Sequence, residues 1–175
     1  VYGFGPEIFD AIENTEPSKR GELEITDAID LLAQRGRVSY HETQGFWADA
    51  GSPESLLSAN AFYLRRIERR IDGEVDGDSR VEGHVQVGSG AKVIGSHIMG
   101  PCLIGEDCLV KESELGPNVS LCTECEIVRS RIANSMLDEG CSVANAEGGL
   151  TDSLLGRGVC VQGARAVRPE MTLRM

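Results

Sequence analysis

From Val81 onward an apolar residue returns about every six positions: Val81, Val87, Val93, Ile98, Ile104, Val110, Leu115, Leu121, Ile127, Ile132, Leu137 and Val143. Glycine follows the apolar residue at Val87-Gly88, Ile104-Gly105, Leu115-Gly116 and Leu155-Gly156. This is the signature of a parallel β-helix, in which each repeat buries its inner face only by stacking on its neighbours. Three hexads make one triangular coil, so residues 81–167 predict roughly five coils. The period slips to five near Ile98 and Ile132, where bulged corners are expected. Val128, Met136 and Leu154 are apolar residues that so narrow a core has no room for, and they predict association of the coil with other copies.

The first 80 residues carry a different pattern. Residues 1–4 read as a strand and 6–14 as a short helix. Thr26 can N-cap a helix over 26–35 that carries Ile29, Leu32 and Ala33, and Gly36 can end it. Alternating Val38 and Tyr40 predict a strand near 37–43. Ser52 and Pro53 open a last helix over 53–70, Ser being a good N-cap and Pro fitting the first turn. Leu56, Leu57, Ala59, Asn60 and Tyr63 continue its stripe. Its end, Arg65-Arg66-Ile67-Glu68-Arg69-Arg70, puts cations where the helix dipole favours them. The chain therefore divides into residues 1–72, a linker at 73–80 and a β-helix at 81–175, with a short cap or strand after Pro169.

Two segments of the first part offer chemistry. Asp49 stands beside the single tryptophan, Trp47, and just ahead of Gly51. A lone carboxylate on a strand end ahead of a helix suits a metal ion or a sugar hydroxyl; a polar turn before a capped helix is the plainer alternative. Arg20 is followed by Gly21, which lets the backbone approach a ligand closely. A guanidinium there suits phosphate, through paired charge-assisted bonds. Glu22 and Glu24 precede the 26–35 helix.

Six cysteines add a second question. Cys122-Thr-Glu-Cys125 invites zinc, with Cys102, Cys108, Cys141 and Cys160 as further ligands. The repeat offers a simpler account. Counted from the inward apolar residue, Cys108, Cys125 and Cys141 all fall at the fifth position, which points inward and takes small side chains. They predict an internal ladder of buried thiols. Reduced thiols suit a cytoplasmic protein. Of the three histidines, His84 and His97 are the ones that could serve a β-helix acyltransferase or a zinc site shared across a subunit interface, and solvated histidine is the alternative.

Composition narrows the classes. Aromatics make up 5% of the chain and glycine supplies 21 residues, which suits thin, regular β-coils. No run of 18 apolar residues is present, so no membrane span is expected. A net charge of −11 argues against nucleic acid and anionic membranes as partners.

Taken together, Val1-Tyr-Gly-Phe-Gly-Pro-Glu-Ile-Phe9, Pro17-Ser-Lys-Arg-Gly-Glu-Leu-Glu-Ile-Thr-Asp27 and Gly45-Phe-Trp-Ala-Asp-Ala-Gly-Ser-Pro53 resemble the sugar-1-phosphate nucleotidyltransferases, in the long glucose-1-phosphate thymidylyltransferase form. Asp49-Ala50-Gly51 stands where that family usually has Asp-Thr-Gly. The repeat resembles the left-handed hexapeptide β-helix. The fold class implied is mixed: the C-terminal remnant of an α/β nucleotidyltransferase domain, then a left-handed parallel β-helix. The family's N-terminal glycine-rich loop and first metal-binding acid have no counterpart here, so the chain resembles a C-terminal fragment. The activity implied joins a nucleoside triphosphate (dTTP or UTP) to a sugar 1-phosphate, with Mg²⁺ as cofactor and a homo-oligomer as the assembly. By that resemblance Asp49 holds the metal, Arg20 contacts phosphate, Tyr2 lines the sugar pocket, and Glu22 and Glu24 orient sugar or Arg20. Two other classes remain: a structural assembly module and a hexapeptide-repeat acyltransferase.

Overall fold

A computed structural model of the chain describes residues 2–146 and 148–163; the expected cap after Pro169 lies outside them. The chain forms two compact units, Val1–Phe46 and Trp47–Met175.

In the first unit, helix α1 (Glu7–Glu13) packs on helix α2 (Ile25–Gln34) through Ile8, Ala11, Ala28 and Leu32, with Leu31 beside them. An Arg37–Glu7 ion pair ties the chain beyond α2 back to α1. Gly36, at φ +66°, ends α2: its N–H donates to Ala33 O, and Arg37 N–H donates to Leu32 O. The expected Thr26 cap is absent. Glu24 is the N-cap residue, extended at φ −98°, ψ 127°, and makes no side-chain cap bond. Residues 2–5 and 37–44 are not strands. A strand exists only through bonds to a neighbouring strand, and neither segment has one among the described residues. Tyr2, Phe9, Leu23 and Tyr40 stay largely exposed, so this unit shows more large apolar side chains than it buries.

The second unit opens with helix α3 (Pro53–Leu64), capped as expected. Ser52 Oγ accepts from Ser55 N and Ser55 Oγ accepts from Ser52 N, each at 3.2 Å. The helix stops at Leu64 rather than 70, because Arg70–Ile71 is already the first strand of the coil. Glu74–Val75 is the second, within the segment expected as linker.

The coil has three parallel walls. One stacks Arg70–Ile71, Val85–Val87, Cys102–Ile104, Val119–Leu121, Met136–Leu137 and Leu154–Leu155. The next runs from Glu74–Val75 to Cys160–Gln162, and the third from Arg80–Glu82 to Leu150–Thr151. This is the three-sided parallel β-helix that the period predicts, the architecture of the left-handed class. Val87 pairs with Ile104 and Ile104 with Leu121, seventeen residues per turn instead of eighteen. Val87, Val93, Ile98, Ile104, Val110, Leu115, Leu121, Ile127, Ile132, Leu137 and Val143 are all buried.

The missing residue explains the slipped period. At one corner a residue in the left-handed region (Gly95, Glu112 and Arg129 in successive coils) is followed by an inward serine. Ser96, Ser113 and Ser130 are buried and form a ladder. Each hydroxyl donates to the carbonyl two residues back, and accepts from the backbone N–H one coil on: Ser113 N donates to Ser96 Oγ, Ser130 N to Ser113 Oγ and Ala146 N to Ser130 Oγ, each at 3.1 Å. The ladder satisfies donors that would otherwise be buried unpaired. Ser113→Ala is expected to cost about 1–3 kcal/mol, because Ser130 N–H loses its acceptor; urea unfolding monitored by circular dichroism checks it.

Asn60 fastens α3 to this coil. Its Oδ1 accepts from Ser120 Oγ at 2.6 Å and its Nδ2 donates to Asn118 O at 3.3 Å.

Candidate functional site

The Arg20 loop is a tight turn. Gly21 N donates to Ser18 O and Ser18 N to Glu22 O, both at 2.8 Å. Gly21 sits at φ +79° with open space where a Cβ would stand. Any other side chain would be strained there. Arg20 Nη2 donates to Glu24 Oε1 at 2.6 Å, and Ser18 Oγ donates to the same oxygen at 3.1 Å. Those two bonds, the Arg20 one first, hold the Glu24 carboxyl below its ordinary range. The arginine is 74% exposed, so the pair adds little stability. Its effect is to fix the direction of the fork. One of five N–H donors is spent, leaving the rest for an anion. Of the two glutamates, Glu24 therefore orients Arg20. The Glu22 side chain is exposed and has no partner among the described residues; its carbonyl closes the turn. Tyr2 is 65% exposed and stacks on Phe4 with ring centroids 5.7 Å apart.

Asp49 lies in the second unit, on a turn rather than the expected strand end. Its Oδ1 accepts from Gly51 N at 3.1 Å, an Asx turn that delivers the chain to the Ser52 cap. Trp47 is 72% exposed. A Cβ on Gly51 would stand 3.3 Å from both Asp49 oxygens, so glycine leaves the carboxylate room. The Asp49 Oδ2 has no protein partner among the described residues. An exposed carboxylate with a free oxygen fits Mg²⁺, which takes one or two carboxylates together with substrate phosphates. Among the described residues no group of three or more His, Cys, Asp and Glu is placed to hold a metal by itself.

The cysteines are a ladder. Cys108, Cys125 and Cys141 precede paired residues in successive coils and are buried. Their thiols donate to Cys122 O, Asp138 O and Gly156 O at 2.9, 3.2 and 3.1 Å. Burial pushes the Cys102 thiol up to about 12. The Cys108 thiol, then burial, raises Cys125. All six cysteines are unpaired, and Cys122 and Cys160 are exposed. Two thiols of the native protein should react rapidly with an aromatic disulfide reagent and four only on unfolding; timed absorbance with and without denaturant checks this. His84 Nδ1 lies 3.1 Å from Ile67 O, and His97 Nε2 lies 3.8 Å from a Glu82 oxygen. Among the described residues neither joins a group of three or more His, Cys, Asp and Glu.

The sequence pattern alone does not bring out the serine ladder or the Asn60 anchor. A signal for the ladder exists: Ser79, Ser96, Ser113 and Ser130 recur every seventeen residues.

The description "Nucleotidyl transferase" belongs to the family model that matches residues 1–66. A glucose-1-phosphate thymidylyltransferase of Streptomyces griseus is 39% identical over 95% of this chain and 47% of its own length. One from Streptomyces antibioticus is 41% identical over 92% of this chain and 45% of its own. The low-salt glycan biosynthesis nucleotidyltransferase Agl11 of Haloferax volcanii is 37% identical over 97% and 48%. The chain spans about half the length of the curated relatives it matches. Residues 1–66 match the nucleotidyl transferase family, and the likeness to the two thymidylyltransferases continues over more than nine-tenths of the chain.

Proposed function

We propose that this chain is part of a sugar-1-phosphate nucleotidyltransferase that joins dTTP to glucose 1-phosphate, giving dTDP-glucose and pyrophosphate. The similarity to two glucose-1-phosphate thymidylyltransferases over more than nine-tenths of the chain carries the reading. UTP is the alternative nucleotide. The sugar phosphate oxygen attacks the α-phosphorus in line, and the bond to the pyrophosphate oxygen breaks. Such a displacement needs positioning and charge neutralisation more than covalent help. Arg20, aimed by Glu24, binds phosphate. Tyr2 lines the sugar pocket and Glu22 accepts from a sugar hydroxyl. Asp49 supplies one carboxylate to Mg²⁺, which when bound offsets phosphate charge.

Turnover on this reading needs protein surface beyond these 175 residues. The exposed Tyr2, Phe9, Leu23 and Tyr40 of the first unit support that, being an apolar surface of the kind that another part of a fold covers. The purified chain alone should form no dTDP-glucose above an Asp49→Ala control. Product formation by the chain alone would defeat this claim. In the complete enzyme, a screen of dTTP and UTP with glucose 1-phosphate tests the substrates.

The same chain would serve assembly. Val128, Met136 and Leu154 point out of the coil and are only half-buried. A homo-oligomer formed through these walls covers them. Light scattering at micromolar concentration should give a multiple of the monomer mass; a monomer mass removes the proposal. No described helix is long and apolar enough to cross a membrane. The six unpaired thiols support a cytoplasmic site of action.

A further inference from the structure

Between α3 and one corner of the coil lies a cleft of about 380 Å³. All of its lining residues belong to the second unit. The helix contributes Pro53, Leu57 and Ala61, four residues apart and so on one face. The coil contributes Asn118, Asn134 and Asp152, stacked in successive turns of the same corner. All three adopt the left-handed conformation, at φ 60°, 45° and 50°. Asn60 holds the two sides together through Ser120 and Asn118.

The polar side of the cleft is only partly spent. Asn118 Nδ2 donates to Asn134 Oδ1 at 2.8 Å. That leaves Asn118 Oδ1, Asn134 Nδ2 and both Asp152 oxygens without a partner among the described residues. An acceptor, a donor and a carboxylate thus follow one another along the corner, facing an apolar strip. Among the described residues no cation lines the cleft, and Glu54 on its rim adds a second negative charge. A phosphate or nucleotide would be repelled. A ligand whose one side is C–H and whose edge carries hydroxyls meets both walls: its hydroxyls donate to Asn118 Oδ1 and Asp152 and accept from Asn134 Nδ2. The volume is within the range of small-molecule pockets, about 300–1,000 Å³. We propose that this cleft binds an uncharged pyranose sugar, separately from the transferase site.

The test is saturation-transfer NMR on the 175-residue chain with methyl α-D-glucopyranoside. Transfer to the sugar is expected. Ser58→Trp, at an exposed lining position, should fill the cleft and abolish it. Asp152→Asn, which keeps a residue suited to the left-handed corner, should weaken binding about tenfold through loss of a charge-assisted acceptor. Inorganic phosphate should not compete, and Asp49→Asn should leave the signal unchanged. Absence of transfer overturns the proposal, as does transfer indifferent to both cleft variants or displaced by phosphate. Transfer that depends on Asp49 and not on Ser58 or Asp152 puts the sugar in the transferase site. That result overturns this proposal and leaves the proposed function standing. Circular dichroism of both variants confirms the fold, and Asp152→Asn is informative even where the tryptophan is not tolerated.

Discussion

Asp49→Asn in the complete enzyme is expected to lower turnover on the order of 10²-fold, comparable to the loss of one preorganised group that stabilises transition-state charge. The folded protein should hardly notice. Asp49 is exposed, its Asx bond to Gly51 N at 3.1 Å is one that asparagine also makes, and surface changes usually stay within about 0.5 kcal/mol. The substitution therefore separates the two readings of this residue. As a turn residue, Asn is an equal replacement; as a metal-holding carboxylate, it is not. Steady-state kinetics across Mg²⁺ concentrations, with thermal unfolding alongside, distinguishes them. A variant with near-normal turnover at limiting Mg²⁺ returns Asp49 to its local role in starting α3.

Arg20 and Glu24 offer a companion measurement on the other unit. Glu24→Gln keeps a hydrogen-bond acceptor for Arg20 but removes the charge that aims the fork. A smaller loss than for Arg20→Ala is expected, about tenfold and chiefly in KM for the phosphate substrates, since Glu24 acts through the arginine. An unchanged KM in Glu24→Gln would make the pair a surface contact only.

What can be read along the chain follows how local each feature is. The coil repeats every five to six residues, so spacing alone reveals its inward column of valines, leucines and isoleucines, and with it Cys108, Cys125 and Cys141. The serines stay hidden, because a polar residue in an apolar count reads as surface. Only the bond from each hydroxyl to the next coil shows why Ser96, Ser113 and Ser130 are inside. The strands expected at 1–4 and 37–43 are absent over the described residues 2–4 and 37–43 for the opposite reason: the alternation of Val38 and Tyr40 describes side chains, whereas a strand is made by a neighbour. The same holds at the site. Arg20 and Glu24 are four residues apart, and their pairing is one of two roles that the sequence leaves open to Glu24. The Asn118–Asn134–Asp152 corner joins residues sixteen to eighteen apart, and it becomes a cleft only once α3 lies across it.

Leu121→Ala should be among the most damaging single truncations in the coil, at about 3–5 kcal/mol. Leu121 is fully buried, and its backbone pairs with Ile104 on one side and Leu137 on the other. A thick globular core can relax around a lost side chain from many directions. Here the core is a single inward column from each of three walls, and the neighbours that could move are held in register by the parallel ladders of those walls. In a stack whose stability is a sum over adjacent turns, a void at a central level weakens two interfaces at once. Leu155→Ala makes the matched comparison. It lies in the same column but is only half-buried, so less apolar area returns to water and about 1–2 kcal/mol is expected. Urea unfolding of both variants at several protein concentrations separates this intrinsic loss from any change in association. Equal losses at the two positions would mean that the coil melts from its end and that the central column is not where its stability is concentrated.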